Sequence, residues 1–192
     1  MQTPIKNPTF PLKLNCKVCK GGCRIVAVVD SSNSGLDFIS GRKVTPYTGM
    51  PVYYYSCEIC SFTFTKAFDR WRHEEWSRHI YNDSYALHDP EYLYERPKKY
   101  AEMFCLLPDQ IRDLSILDYG SGLGLFEKNL RAKGFSKINS YDPYGNNVKP
   151  AAASYDLITS FEVFEHHPNP HKLFEEMRLY LKPNGAIFLL PS

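Results

Sequence analysis

Short apolar runs alternate with amphipathic stretches through the C-terminal part of the chain, from residue 114 onward. Four strands are predicted, at Ile116–Tyr119, Ile138–Tyr141 (ending at Asp142-Pro143), Asp156–Ser160 and Ala186–Leu190. Helical stretches separate the strands, and this alternation is typical of an α/β fold with a parallel sheet.

Two helices of this region have clear ends in the sequence. Gly134 is placed to cap the first, and the second begins at Asn169-Pro170, with Asn as N-cap and Pro at the first helical position. The motif Lys182-Pro-Asn-Gly185 should break the pattern before the last strand. The apolar positions expected on the buried helix faces are Leu123, Phe126, Leu130, Leu173, Phe174, Met177 and Leu181.

The pattern divides the chain into three regions, 1–66, 67–113 and 114–192. The middle region is rich in aromatic residues and predicts short helices, with breaks at Asp89-Pro90 and Arg96-Pro97. In the first region we expect strands at Ile25–Val29, Val52–Tyr55 and Phe62–Thr65, and a loop at Asp30–Thr48.

Composition and charge exclude several classes of protein. With 43% hydrophobic and 23% charged residues, the chain can bury a core and is not intrinsically disordered. No apolar run approaches the ~20 residues of a membrane span, and residues 1–14 lack the apolar centre of a secretory signal. We therefore expect a cytoplasmic protein without a membrane partner. Region 1–66 has eight Lys/Arg against three Asp/Glu, an excess that fits a solvated surface better than a nucleic-acid site.

Five of the six cysteines lie in the first 60 residues. Two CxxC pairs, Cys16/Cys19 and Cys57/Cys60, match the way thiolates are presented to a tetrahedral Zn²⁺ ion. A reducing cytoplasm disfavours disulfides, so we expect a structural zinc site in a small ribbon-like module. Cys23 is a spare thiol that could compete with Cys19, and Cys105 is expected in the core.

A glycine-rich loop follows the first strand of the C-terminal region. The sequence Asp118-Tyr-Gly120-Ser-Gly122-Leu-Gly124 brings backbone N–H groups to a helix N-terminus, where cofactors bind. Neither reading frame fits the GxGxxG dinucleotide fingerprint, which disfavours a dinucleotide-dependent enzyme. An acid at Asp118 favours a positively charged ligand, and Asp142, after the second strand, is placed to accept from ribose hydroxyls.

Four blocks in this order resemble the class I S-adenosylmethionine-dependent methyltransferases: ILDYGSGLG, the acid of YDP, YDLITSFEVFEHHPNP and LKPNGAIFLLP, all within residues 114–192. The cysteine head is similar to that of family members with an N-terminal zinc-binding domain. The resemblance implies a Rossmann-like doubly wound sheet. It also implies a site for S-adenosylmethionine formed by Asp118, Gly120, Ser121, Gly122, Gly124, Asp142 and Phe161.

The chain departs from the family pattern at two places. Only 13 residues separate Asp142 from Asp156, so the strand whose end helps to recognise adenine should be missing. The family sheet continues beyond the strand at Ala186–Leu190. We therefore expect either a fragment of a longer protein or a shortened sheet with an exposed edge, through which the chain can dimerise.

The motif Glu162-Val-Phe-Glu165-His166-His167 follows the third strand and should lie beside the cofactor loop. Three roles are open. Its side chains orient the loop and touch the cofactor, or His166 or His167 acts as a general base. Alternatively, Glu162, Glu165 and His166 hold a divalent ion, as in methyltransferases with a similar ExxEH pattern.

Taken together, these features favour a zinc-containing methyltransferase acting on a small molecule, such as a sugar or a natural-product intermediate. The alternative is a non-catalytic or incomplete methyltransferase-like protein whose zinc module binds a partner protein or nucleic acid.

Overall fold

The computed structural model describes residues 14–32, 34–82, 85–145 and 148–190. The backbone divides into two compact units, Met1–Asp89 and Pro90–Ser192. The expectation that residues 1–14 are not a secretory signal falls almost entirely on residues 1–13, which lie outside the described residues. None of the described helices is long and apolar enough to cross a membrane.

The first unit contains an antiparallel sheet, as the apolar runs of region 1–66 predict. Its strands pair in chain order. Leu14, Tyr55 and Phe64 form its buried core. The strands are β1 (Leu14–Asn15), β2 (Gly22–Asp30), β3 (Pro51–Cys57) and β4 (Thr63–Thr65).

The predicted loop at Asp30–Thr48 contains a short helix, α1 (Gly35–Ser40), so that prediction is wrong in part. The Ser34 hydroxyl accepts from the Asp37 N–H, and the Asp37 carboxylate accepts from the Ser34 N–H, which forms a capping box. Gly41, with φ +65°, ends the helix. Ser, Asp and Gly therefore mark helix ends here, although their abundance also predicts a loop.

The middle region forms short helices, as predicted. They are α2 (His73–His79), α3 (Tyr85–His88) and α4 (Glu95–Phe104), followed by a 3₁₀ turn at Asp109–Asp113. The chain leaves α3 before Asp89-Pro90, which confirms that break. The break predicted at Arg96-Pro97 is wrong, because Pro97 lies in the first turn of α4, where a backbone N–H has no helical partner to lose.

The second unit is built on a four-stranded parallel sheet. After α4 and the 3₁₀ turn, its elements are β5 (Ile116–Tyr119), α5 (Leu125–Ala132), β6 (Ile138–Tyr141), β7 (Tyr155–Phe161), α6 (Pro170–Arg178) and β8 (Leu181–Leu190). The strands lie in the order β6-β5-β7-β8. Their bounds agree with the predicted strands within about one residue, except that β8 starts earlier.

Helices cover both faces of this sheet, which gives the three layers of a Rossmann-like fold. Successive side chains of β5 and β7 enter two separate cores. One core also contains residues of α4 and α5, and the other contains residues of α6. The first is built from Ala101, Phe104, Ile116, Phe126, Leu130, Phe135, Ile138 and Leu157, and the second from Leu117, Tyr119, Ile158, Leu173, Met177 and Tyr180.

Three predicted core positions are placed differently. Leu123 precedes α5 and is 64% exposed, and Phe174 is 40% exposed. Leu181 begins β8 rather than continuing the stripe of α6, and β8 runs through the expected break at Lys182–Gly185. The register of β8 against β7 shifts in this stretch, so the Pro-Asn-Gly segment is accommodated as a bulge.

The helix caps of this unit form as predicted. The Asn169 side chain accepts from the Lys172 N–H and Pro170 opens α6. Gly134 follows α5 with φ +95°. Between β6 and β7 the described residues contain no strand, in agreement with the short spacing from Asp142 to Asp156. On the outer side of β8 no strand pairs within the described part of the chain.

Candidate functional site

The glycine loop lies between β5 and α5, and its backbone requires glycine. Gly120, Gly122 and Gly124 have φ values of +78°, +52° and +69°, in the region that L-residues avoid. A Cβ on Gly120 would lie 2.4 Å from a methyl of Val163, and one on Gly122 would lie 3.1 Å from the Tyr92 hydroxyl. A Cβ at Gly120 or Gly122 would therefore meet side chains of the protein itself, so neighbouring side chains already account for part of the need for glycine at these positions.

Asp142 follows β6 and contacts this loop directly. One carboxylate oxygen accepts from the Gly122 N–H at 2.8 Å, and the other accepts from the Tyr144 N–H at 2.8 Å. Two residues predicted to share a cofactor site, 20 positions apart in sequence, are thus brought together. The bond fixes an acidic group at the carboxyl edge of the sheet, where ligands of open α/β sheets bind.

Asp118, near the end of β5, is almost fully buried, with 3% of its surface exposed. Burial raises the pKa of its carboxyl to about 7, a hydrogen bond from the Thr159 hydroxyl at 3.3 Å lowers it, and the negative charges of Glu127 and Asp142 raise it. A buried acid among other acids is expensive to ionise, and such groups cluster at functional sites.

An open depression of about 470 Å³ lies against the loop. Two serine hydroxyls in its wall, those of Ser121 and Ser140, are buried and have no hydrogen-bond partner among the described residues. Buried hydroxyls are normally paired, so their state suits a polar ligand. The depression is lined by Ser121, Gly122, Leu123, Gly124, Glu127, Lys128, Arg131 and Ser140.

Glu162 comes directly after β7 and has an unusual backbone, with φ +55°. Its carboxylate accepts from the Arg96 guanidinium at 2.6 Å and from the Tyr100 hydroxyl. Both partners lie on α4, more than 60 residues away in sequence, so no local pattern reveals them. The ring of Tyr100 stacks on Phe161 at 4.7 Å between centroids, which places Phe161 in the aromatic core beside the site.

Glu165 and His166 lie in a 3₁₀ turn, Phe164–His166, and both are exposed. Crowding by protein atoms nonetheless lowers the pKa of His166 from its ordinary value of 6.5, against the opposing charges of Glu165 and Glu162. His167 Nδ1 accepts from the Asn169 N–H at 3.1 Å. Within the described ranges, the ligand atoms of Glu162, Glu165 and His166 do not converge as a metal site requires.

The sulfurs of Cys16, Cys19, Cys57 and Cys60 all lie within 4.8 Å of one another. The Cys16–Cys60 and Cys19–Cys57 sulfur distances are 3.7 and 3.3 Å. Four thiolates at ~2.3 Å around a tetrahedral zinc ion would be about 3.8 Å apart, so the donor set and spacing fit that ion. Cys23 is outside this group, and burial raises the pKa of its thiol to about 11.

The two CxxC turns repeat one backbone geometry. The residue after each pair, Lys20 or Ser61, has a left-handed φ of +64° or +60°. In each turn the N–H of the first cysteine donates to a carbonyl five residues on. The N–H of Val18 donates to the Cys16 sulfur at 3.3 Å, as expected when backbone groups stabilise a thiolate. The chain thus folds both pairs as sulfur-presenting turns.

A parallel sheet whose first strand enters a helix through a glycine loop, with an acid after the next strand, has the arrangement of a Rossmann-like fold. A family model described as "Methyltransferase domain" matches residues 87–190, more than half of the chain. The chain therefore belongs to this methyltransferase family.

The chain is also similar to a curated protein, the mitochondrial ubiquinone biosynthesis O-methyltransferase of Dictyostelium discoideum. The two are 24% identical over 135 residues, which cover 52% of this chain and 42% of the relative. The chain thus spans less than half the length of that relative.

Proposed function

We propose that the chain transfers a methyl group from S-adenosylmethionine to a small-molecule acceptor, with a sugar or a natural-product intermediate as the acceptor class. The observation that carries the proposal is the bond between the Asp142 carboxylate and the Gly122 N–H, which joins the two cofactor elements of the family's pattern. The family match and the O-methyltransferase name of the relative support methyl transfer.

S-adenosylmethionine would supply an activated methyl group on a sulfonium. In this proposal Asp118, Gly120 and the rest of the glycine loop hold its methionine part, and Asp142 holds the ribose. The buried hydroxyls of Ser121 and Ser140, for which the described part of the chain offers no hydrogen-bond partner, support a polar occupant. Phe161 contributes through the shape of the aromatic core beneath the loop.

For the segment after β7 we propose an orienting role. The Glu162 carboxylate already accepts hydrogen bonds from the Arg96 guanidinium and the Tyr100 hydroxyl. Because these two donors occupy its oxygens, the carboxylate is poorly suited to bind a divalent ion. Glu165 and His166 stand exposed at the carboxyl edge, where an acceptor would bind. A base role for His166 or His167 is the second candidate, because the lowered pKa of His166 keeps its imidazole neutral near pH 7.

The four clustered cysteines are proposed to hold one structural zinc ion. Four thiolates complete a tetrahedral shell and leave no position for a substrate. We also propose the three-part division at residues 66 and 113, with a zinc module first, an aromatic-rich helical connector next and a partial methyltransferase core last.

The competing proposal is a non-catalytic protein whose zinc module binds a protein or nucleic acid. Transfer of labelled methyl from S-adenosylmethionine into pooled small-molecule extracts separates the two. We expect incorporation with the full chain, strong loss in Asp142→Ala, and retention in Asp109→Ala, whose carboxylate is exposed. No incorporation, together with salt-sensitive binding of RNA or DNA, would favour the competing proposal.

A further inference from the structure

Strand β2 places a further cysteine of the first unit directly opposite one of the four clustered cysteines. In the antiparallel register, Cys23 of β2 pairs with Cys57 of β3. The Glu58 N–H donates to the Gly22 carbonyl at 3.0 Å, so the backbone bond lies beside this pair. The Cys57 N–H donates instead to the Phe62 carbonyl, on the side of β4. Cys23 and Cys57 are therefore a cross-strand pair of the kind without mutual backbone hydrogen bonds, in which side chains come closest.

This register suits a disulfide between the two side chains. In such a pair the Cα atoms are typically about 4.5 Å apart, within the range of ~4.4–6.8 Å that disulfides span. Residues directly opposite each other point to the same face of a sheet. On that face Cys23 packs against the apolar core of the first unit. Among the side chains that act electrostatically on the Cys23 thiol, Cys57 acts more strongly than any other member of the cluster.

Cys23 is not one of the four cysteines proposed to hold zinc, and its thiol is therefore available for another reaction. The four cysteines of the cluster have sulfurs within 4.8 Å of one another, and Cys23 is outside that group. Its thiol donates to the Gly21 carbonyl at 3.7 Å, a weak contact that a rotation of the side chain can break. Four thiolates complete the shell of a zinc ion. Cys23 can thus react with Cys57 without first being released from a metal.

We propose that Cys23 and Cys57 form a reversible disulfide under oxidation, and that this disulfide displaces zinc from the four-cysteine site. The inference rests on the proposed zinc site. Because the Cys57 sulfur cannot be a zinc thiolate and half of a disulfide at the same time, the two states exclude each other. The disulfide would also join β2 to β3, so the sheet that carries the site stays connected after the metal has left.

A peroxide is the class of oxidant that balances this step. The oxygen–oxygen bond of hydrogen peroxide breaks as the sulfur–sulfur bond forms, and the peroxide accepts one electron from each sulfur. Cys23 gives up its thiol proton, solvent supplies a second proton, and two molecules of water are produced. The Cys57 thiolate leaves the metal, whose oxidation state does not change. A thiol reductant reverses the reaction by returning both cysteines to their reduced state.

Peptide mapping of the zinc-loaded full chain, after treatment with one equivalent of hydrogen peroxide, tests the pairing. A lysine or an arginine follows each of the first three cysteines before the next one, so trypsin places those three on separate peptides. We expect the peptide of Cys23 to be linked to the peptide of Cys57, with fragmentation locating the bond at Cys57 and not at Cys60. A bond within the closest sulfur pairs of the cluster, Cys19–Cys57 or Cys16–Cys60, would overturn the inference.

Zinc release, followed with a colorimetric chelator and compared with an untreated sample, tests the consequence. Cys23→Ser should release zinc about tenfold more slowly than the wild type, because a thiol held beside its target reacts faster than one in solution. Cys105→Ser is the matched control, since Cys105 lies in the second unit, and it should behave as the wild type. Reduction and added zinc should restore the wild type.

Two results would contradict the proposal in different ways. Equal release rates in the wild type and in Cys23→Ser would overturn the disulfide and leave the zinc site intact. Absence of zinc from the chain before oxidation would overturn the zinc site and the inference together.

Discussion

Replacing Glu162 with glycine should leave the protein more stable than replacing it with alanine, the reverse of the usual order. Both changes remove the carboxylate that Arg96 and Tyr100 contact, so that loss is common to the two variants. They differ in the backbone, since φ is +55° at this position. A left-handed conformation costs an L-residue about 1–2 kcal/mol, and glycine avoids it. Glycine's extra freedom in the unfolded chain offsets roughly 0.5–1 kcal/mol of this.

The free energy of unfolding of Glu162→Gly should therefore be larger than that of Glu162→Ala by about 0.5–1 kcal/mol. Thermal unfolding of the full chain, with metal content held constant, should show a Tm difference of roughly 1–4 °C. Lys98, exposed on α4, provides the matched control. There alanine should be more stable than glycine by about 1 kcal/mol, because the backbone is helical. Alanine more stable at both positions would refute the strained conformation of Glu162.

Three further predictions follow from the geometry. Elemental analysis of the purified chain should find about one zinc ion per molecule. Cys57→Ser should lose the zinc and have a lower Tm, whereas Cys23→Ser should keep the zinc. Equal zinc content in the two variants would refute the proposed zinc site. Gly120→Ala should destabilise by about 3 kcal/mol or more, since its Cβ would clash at 2.4 Å, whereas Gly134→Ala, whose nearest neighbour is at 3.7 Å, should lose about 1 kcal/mol; equal losses in urea unfolding would refute the clash. Hydrogen bonds from the Ser115 hydroxyl and from Lys182 hold the pKa of Asp156 well below its usual range. The stability that this carboxylate contributes is therefore present above about pH 4 and should fall as the pH drops. Asp156→Asn should flatten the profile of Tm against pH between about pH 5 and 3, and an unchanged profile would contradict this.

The elements of the second unit were predictable because their signals are local. Strand β5 is a short apolar run that ends at the glycine loop, and β6 ends at Asp142-Pro143. The start of α6 is encoded by the adjacent Asn169 and Pro170. The glycine loop carries its own requirement for left-handed backbone. Local signals misled where one residue type serves two roles, as with Pro97 inside α4 and Ser34 ahead of α1.

The partners within the candidate site could not be predicted in the same way. Arg96 and Tyr100 reach Glu162 across more than 60 positions, and Val163 fills the space beside Gly120. Such contacts depend on how α4 packs on the sheet. The burial of Asp118, which decides its protonation, is likewise a property of the assembled layers and not of its neighbours in sequence.

The glycine loop and Asp142 are proposed to form a site for S-adenosylmethionine. Calorimetric titration of the full chain at pH 7 tests this site most directly, with Gly122→Val as the variant that fills the loop. Gly41→Val is the matched control, because Gly41 is also left-handed, at φ +65°, but has open space around it in the first unit. We predict one site per chain in the wild type and in Gly41→Val, and no binding in Gly122→Val. Binding of equal strength in folded Gly122→Val, or no binding in the wild type, would contradict the claim.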